Sequence, residues 1–216
     1  MNTIATPVCR FRRNDSLVER FGFWEPDRIT PAVGSLFYGL MAEPHTHHSD
    51  EVTLLPALAP QNILLLDEQH QPKLQKSFAN LTTANRVKAE TPATVHAAII
   101  CGGKCGVGSS LDFSLFAWTW CCDLEFDGRV QMCARSFLLG CTLFPIIAGK
   151  NIAVGIADNA SAHGSISHET IMPILVHLVR HHTFFPGDMV AFPLFRTLLT
   201  PHTTRWCAGE HQWPAI

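Results

Sequence analysis

NIAVGIADNASAHGSISHETIMPILVHLVRHHTFFPGDMV, residues 151–190, reads as a strand, a glycine-bearing turn, a helix and a second turn in one continuous run. Ile171, Ile174, Leu175, Leu178 and Val179 recur at helical spacing and share one face. Pro173 is expected in the first helical turn, where a missing N–H removes no hydrogen bond. Arg180, His181 and His182 then fall at the negative end of the helix dipole, which explains these histidines without catalysis. Pro186-Gly187-Asp188 predicts a turn into another short strand within 184–195.

Upstream, TVHAAIICGG (94–103), FAWTWCCDL (116–124) and RVQMCARSF (129–137) are runs of strand length, and Asp127-Gly128 is a strong turn signal between the second and third. The middle of the chain is therefore expected to be mostly sheet. Cys121 and Cys122 are adjacent, so on a strand they point to opposite faces, and core packing is favoured over redox chemistry. Nearer the N-terminus, apolar residues alternate with charges over 8–34, interrupted by turns at Asn14-Asp15 and Glu25-Pro26-Asp27. This predicts a small β module over residues 1–55, followed by a main domain over 56–216. NILLLDEQ (62–69) is an apolar run entered after Pro60, and the polar stretch from Gln69 to Glu90, without sustained period, is expected to be loop with local turns.

Composition narrows the function classes. Charged residues make up 16% of the chain, against roughly 25% in an average soluble domain, so a self-association face is expected. Sixteen Lys+Arg against 18 Asp+Glu give a net charge of -2 without a basic block, which argues against nucleic-acid binding. The apolar stretch from Ser136 to Gly149 is shorter than the ~18 residues of a membrane span and is interrupted by Gly140 and Pro145, so no membrane association is expected. Arginines occupy the place of a signal peptide's apolar region, and a cytoplasmic location follows as the expectation. The eight cysteines show no CxxC pair and are expected as reduced thiols. CGGKCGVGSS (101–110) does not meet the order of a phosphate loop and reads as a turn closing a strand; PHTHHSDE (44–51) reads as a solvated loop in preference to a metal site.

The order and spacing of these strings resemble the fumarylacetoacetate hydrolase family over nearly the whole chain, as a divergent member. EVTLLPALAPQNILLL (51–66) looks like the family's entry segment, and DGRVQMCARSFLLGCTLFP (127–145) is similar to its DGxWxxxKSFDxFxPxGP. Residues 151–190 are the closest match, ending in the family's TLEPGDxI. The resemblance implies a β-rich α+β fold of layered and rolled mixed sheets with few helices. It also implies a homodimer, and a cleft in which Mg²⁺ or Mn²⁺ grips a small 2-oxo or enol acid.

The site residues are likewise implied by the resemblance. FAWTWCCDLEFD (116–127) aligns with GYTxxNDVSxRD and puts Asp123 on the metal-binding aspartate, with Glu125 as a further candidate ligand. Arg135 takes the place of the family's lysine and is the candidate partner of the substrate carboxylate. His70, in LLLDEQHQP, is the candidate general base. Other positions depart: aligning TVHAAIICGGK with YExELAVVIGK places Val95 and Ala97 at the two glutamates, with His96 on the opposite strand face. Asn80 replaces a lysine, and AFPLF (191–195) replaces a TGTP loop. Two readings follow: a protein with an eroded metal and 2-oxoacid site, kept as a dimeric binding or scaffold protein, or a Mg²⁺-dependent hydrolase, decarboxylase or isomerase of 2-oxo or enol acids. Thiol chemistry at Cys121, Cys122 or Cys133, or transition-metal binding by histidines with zinc favoured, is a minor third.

Overall fold

A computed structural model describes residues 5–77, 90–126, 129–130, 137–157, 159–200, 205–208 and 211–214. The N-terminal strands are β1 (Val8–Arg13), β2 (Glu19–Glu25), β3 (Arg28–Ser35), β4 (Gly39–Ala42), β5 (His47–His48) and β6 (Val52–Leu55). The middle of the chain adds β7 (Asn62–Leu66), β8 (Pro72–Ser77), β9 (Thr91–Cys101), β10 (Cys105–Gly106), β11 (Leu115–Phe126), β12 (Arg129–Val130), β13 (Phe137–Leu139) and β14 (Thr142–Leu143). It continues with β15 (Ile152–Ile156), β16 (Asn159–Ile166), helix α1 (His168–Leu178), β17 (Thr183–Phe184), β18 (Met189–Leu199), β19 (Arg205–Ala208) and β20 (His211–Pro214).

The central sheet runs β12-β11-β9-β18-β7-β8, with β13 also on β11; among the described pairs of this sheet, β18 and β7 run parallel. A second sheet, β14-β1-β2-β3-β4, takes β5 and β6 at its sides, so Thr142–Leu143 returns to pair with Val8 and Cys9 of the first strand. A third sheet, β16-β15-β19-β20, and the short pair β10-β17 complete the mixed, β-rich architecture. This is the layered fold expected from the sequence. Among the described residues no helix is long and apolar enough to cross a membrane.

Alternation along the long strands decides what each sheet face buries. On β9, Val95, Ala97 and Ile99 enter the main core with Trp120, Cys122 and Leu124 of β11, while Ala98, Ile100 and Cys121 enter a second cluster with Ala191 and Met189. The adjacent cysteines therefore pack on opposite faces, as strand geometry requires.

Helix α1 lays Ile171, Leu175 and Leu178 into the main core, and Val179 follows them fully buried. Burying each such side chain favours folding by about 1.5–3 kcal/mol. Ser167 is the N-cap: its hydroxyl accepts from the Thr170 N–H at 3.2 Å. That cap starts the helix a turn earlier than Pro173 suggests, so Pro173 lies inside α1 rather than in its first turn. The polar stretch after Gln69 also differs from expectation: Pro72–Ser77 forms β8, antiparallel to β7 at the edge of the central sheet. A strand with two lysines and a glutamine, PKLQKS, suits an edge that must not recruit another strand. The Asp127-Gly128 turn lies outside the described residues, although β12 pairs back onto β11 on either side of it.

Candidate functional site

The register between β9 and β11 sets Asp123 opposite Thr94 and Cys121 opposite His96. Directly opposed residues share a face, and so do residues two apart on one strand. Thr94, His96, Asp123 and Glu125 therefore project from the same side of the sheet. β18 adds Pro193 beside His96, and after a bulge between Pro193 and Phe195 it adds Arg196 beside Thr94. Bulges re-aim side chains in this way next to functional sites. One end of this sheet face is thus the apolar second cluster, and the other borders a cleft of about 430 Å³ lined by these polar residues, Lys73 and the Asp67–Gln69 turn.

Burial and bonding divide the charges of the cleft. Asp123 and His96 are 6% and 4% exposed. Glu125 accepts a hydrogen bond from Arg196 Nη2 at 2.7 Å, in a pair that is open to solvent on the arginine side. Asp67 is committed to its own turn, where Oδ1 accepts the N–H groups of Gln69 and Gln71 at 2.9 and 2.8 Å. Across the strand pair Asp123 consequently faces a hydroxyl and an imidazole, while Asp67, Glu68 and Glu125 line other parts of the cleft. Mg²⁺ and Mn²⁺ bind through several convergent oxygens, with carboxylate count setting affinity, and imidazole suits softer ions. The described residues of the cleft do not by themselves form a hard-cation cage. Among the described residues, no group of three or more His, Cys, Asp or Glu is arranged to hold a metal ion.

Asp123 and Glu125 both line the cleft. His70 does not line it: the residue sits in the adjoining turn with φ 58°, its ring 6.0 Å from that of Phe192. Arg135, Asn80 and Cys133 lie outside the described residues. Val95 and Ala97 are fully buried in the main core, so the strand face opposite Asp123 belongs to Thr94 and His96, one residue earlier in register. Neither Lys73 nor Arg196 is signalled by the sequence; the β9–β18 pairing and its bulge bring Arg196 into the cleft.

Asp188, in the Pro-Gly-Asp turn, is 2% exposed and structural: Oδ1 accepts from Asn62 N and Nδ2 at 3.2 Å each, and Oδ2 from Phe185 N at 2.9 Å. The described cysteines are free thiols. Burial pushes the Cys101 thiol up to about 12 and that of Cys141 up to about 11, which keeps both protonated and unreactive at neutral pH. The histidines of 44–51 are engaged locally: His48 Nδ1 lies 2.7 Å from Asp50, and His47 packs edge-on to Phe11.

No family model matches the sequence, and no curated protein matches it. The fold does match solved structures of fumarylacetoacetate hydrolase type. A 2-hydroxyhepta-2,4-diene-1,7-dioate isomerase from Mycobacterium marinum superposes with a TM-score of 0.70 at 12% identity, covering 96% of both chains. A maleylpyruvate hydrolase from Sphingobium sp. SYK-6, in complex with manganese(II) ion and pyruvate, gives 0.68 at 13% identity over 97% of this chain and 98% of its own. Fumarylacetoacetate hydrolase from Exiguobacterium antarcticum gives 0.65 at 12% identity over 98% and 99%. The chain therefore has the fumarylacetoacetate hydrolase fold over nearly its whole length.

Proposed function

We propose that this chain is a divergent fumarylacetoacetate-hydrolase-type protein whose cation site is eroded, and that it serves as a weakly active or inactive dimeric binding or scaffold protein. The observation that carries this reading is the sheet face opposite Asp123, which presents Thr94 and His96, while Glu125 is held by Arg196. One carboxylate facing a hydroxyl and an imidazole binds a hard cation weakly. A dimer suits the low charge content and the exposed Leu17, Val18, Val33, Tyr38 and Met41 of the N-terminal region. Free, buried thiols suit a cytoplasmic setting.

A second reading, a metal-dependent hydrolase, decarboxylase or isomerase of small 2-oxo or enol acids, is favoured by Asp123 and Glu125 lining one cleft. It is also favoured by the manganese and pyruvate held by the Sphingobium hydrolase. In that reading Asp123 and Glu125 would hold the cation, which would supply Lewis-acid stabilisation of negative charge developing on a 2-oxo acid.

Thermal-shift titration with Mg²⁺ or Mn²⁺ in the presence of oxalate separates the two. No shift at millimolar metal is the result expected for the eroded site; a metal-dependent rise in melting temperature that disappears in Asp123→Ala refutes erosion and supports the enzyme reading instead.

A further inference from the structure

The cleft contains a cationic group that the sequence does not point to. Arg196 follows the apolar segment 191–195 that stands where the resemblance expects hydroxyl and backbone groups for the substrate acid. Bulging between Pro193 and Phe195 brings this arginine to Thr94, on the wall shared with Asp123 and His96. Its side chain is 65% exposed and donates to Glu125 at 2.7 Å, and Lys73 lines the same cleft. A guanidinium has five donors in a planar fork matched to carboxylates, so one bond to Glu125 leaves donor capacity for a ligand.

We infer that Arg196 is the carboxylate anchor of this cleft, with Glu125 as an internal stand-in that a ligand carboxylate displaces. The ligand class is a small mono- or dicarboxylate, and no cation is required for it to bind. The inference deepens the reading above and rests on it for the ligand class. Glu125 and the ligand compete for one guanidinium, so removing the negative charge of Glu125 exposes the anchor. Among the described residues, removing Arg196 leaves Lys73 as the remaining lysine or arginine lining the cleft, beside the carboxylates of Asp67, Glu68, Asp123 and Glu125. A carboxylate is then repelled.

The test uses the full chain in EDTA with pyruvate and with oxalate, read by calorimetry and ligand-observed NMR. Glu125→Gln is expected to tighten binding about three- to tenfold, and Arg196→Gln to weaken it by about tenfold or more, the span of a charge-assisted hydrogen bond. Arg196→Lys should fall between, because a point charge replaces the fork. The double variant Glu125→Gln/Arg196→Gln, which leaves no lone charge of the pair, should bind no better than Arg196→Gln, and near-UV circular dichroism checks that each variant is folded. Binding unchanged in folded Arg196→Gln overturns the inference. So does an absence of binding by every variant including Glu125→Gln. With metal chelated throughout, the outcome is independent of the cation titration: a metal-dependent shift there refutes erosion and leaves the Arg196 result standing.

Discussion

Replacing Asp188 by alanine should unfold the protein far more readily without touching the cleft chemistry. The carboxylate is 2% exposed and accepts three hydrogen bonds, two from Asn62 and one from the Phe185 N–H. Those bonds tie the entrance of β7 to the turn before β18, and the Asp188 carbonyl also accepts from the Cys101 N–H at 2.8 Å. Bonds to a charged group are each worth about 1.5–3 kcal/mol, and a stranded buried donor costs about 1–3 kcal/mol. Because the three share one carboxylate and its desolvation, they do not add, and a loss of about 3–5 kcal/mol is expected. At 216 residues, each kcal/mol shifts the melting temperature by about 2–4 °C, so the midpoint should fall by about 6–20 °C. Asp188→Asn keeps one acceptor oxygen but turns an amide against the other donor, and should cost about half as much. Urea denaturation with an unchanged m-value is the assay. A loss under about 1 kcal/mol in Asp188→Ala would refute the structural role and reopen the Pro-Gly-Asp turn as a functional element.

Gly106 has φ +110°, and a Cβ there would lie 2.0 Å from the His182 carbonyl oxygen; Gly106→Ala should cost more than about 3 kcal/mol, or prevent folded protein from accumulating. Gly108→Ala, at φ +78° with open space, should cost only about 1–2 kcal/mol, measured in the same urea series. Burial raises the thiols of Cys101 and Cys141 to about 12 and about 11, from an ordinary value of 9.0. Their contribution to stability is therefore complete below pH 9 and is lost as pH rises through the folded values; urea midpoints should fall between pH 9 and 11, less steeply in Cys141→Ala. Thr94→Glu/His96→Glu should fold and gain Mn²⁺-dependent thermal stabilisation; a folded variant without that gain would overturn the placement of these positions opposite Asp123.

Much of the fold is legible in the sequence because its signals are local. The α1 face from Ile171 to Val179, the turn at Pro186-Gly187-Asp188 and the opposed burial of Cys121 and Cys122 all follow from spacing within one element. β8 escapes such a reading because an edge strand need not alternate. Pro173 is misplaced by it because one capping side chain, Ser167, sets the helix start, outside the apolar pattern that begins at Ile171. The site is less legible because it depends on pairing between distant segments. Asp123 can be found from its own strand, but its neighbours Thr94 and Arg196 are fixed by the registers of β9 with β11 and β18, and a slip of one residue exchanges the cleft face for the core face. Aligning Val95 and Ala97 with the cleft is such a slip.

The same alternation lets the cleft change while the fold persists. Val95 and Ala97 are fully buried against the cluster that holds Trp120 and Cys122, so their size and polarity are set by packing that tolerates little alteration. Thr94 and His96, interleaved with them, face the cleft, where a change of side chain alters what can bind and leaves the main core untouched. On the parity of Thr94 and His96, Ala98 and Ile100 are again core residues, so the part of β9 free to vary is the short stretch that borders the cleft. At 12% identity over 96% of both chains the core positions themselves must differ, and the fold persists because a core needs apolar side chains of about the right volume, not particular ones.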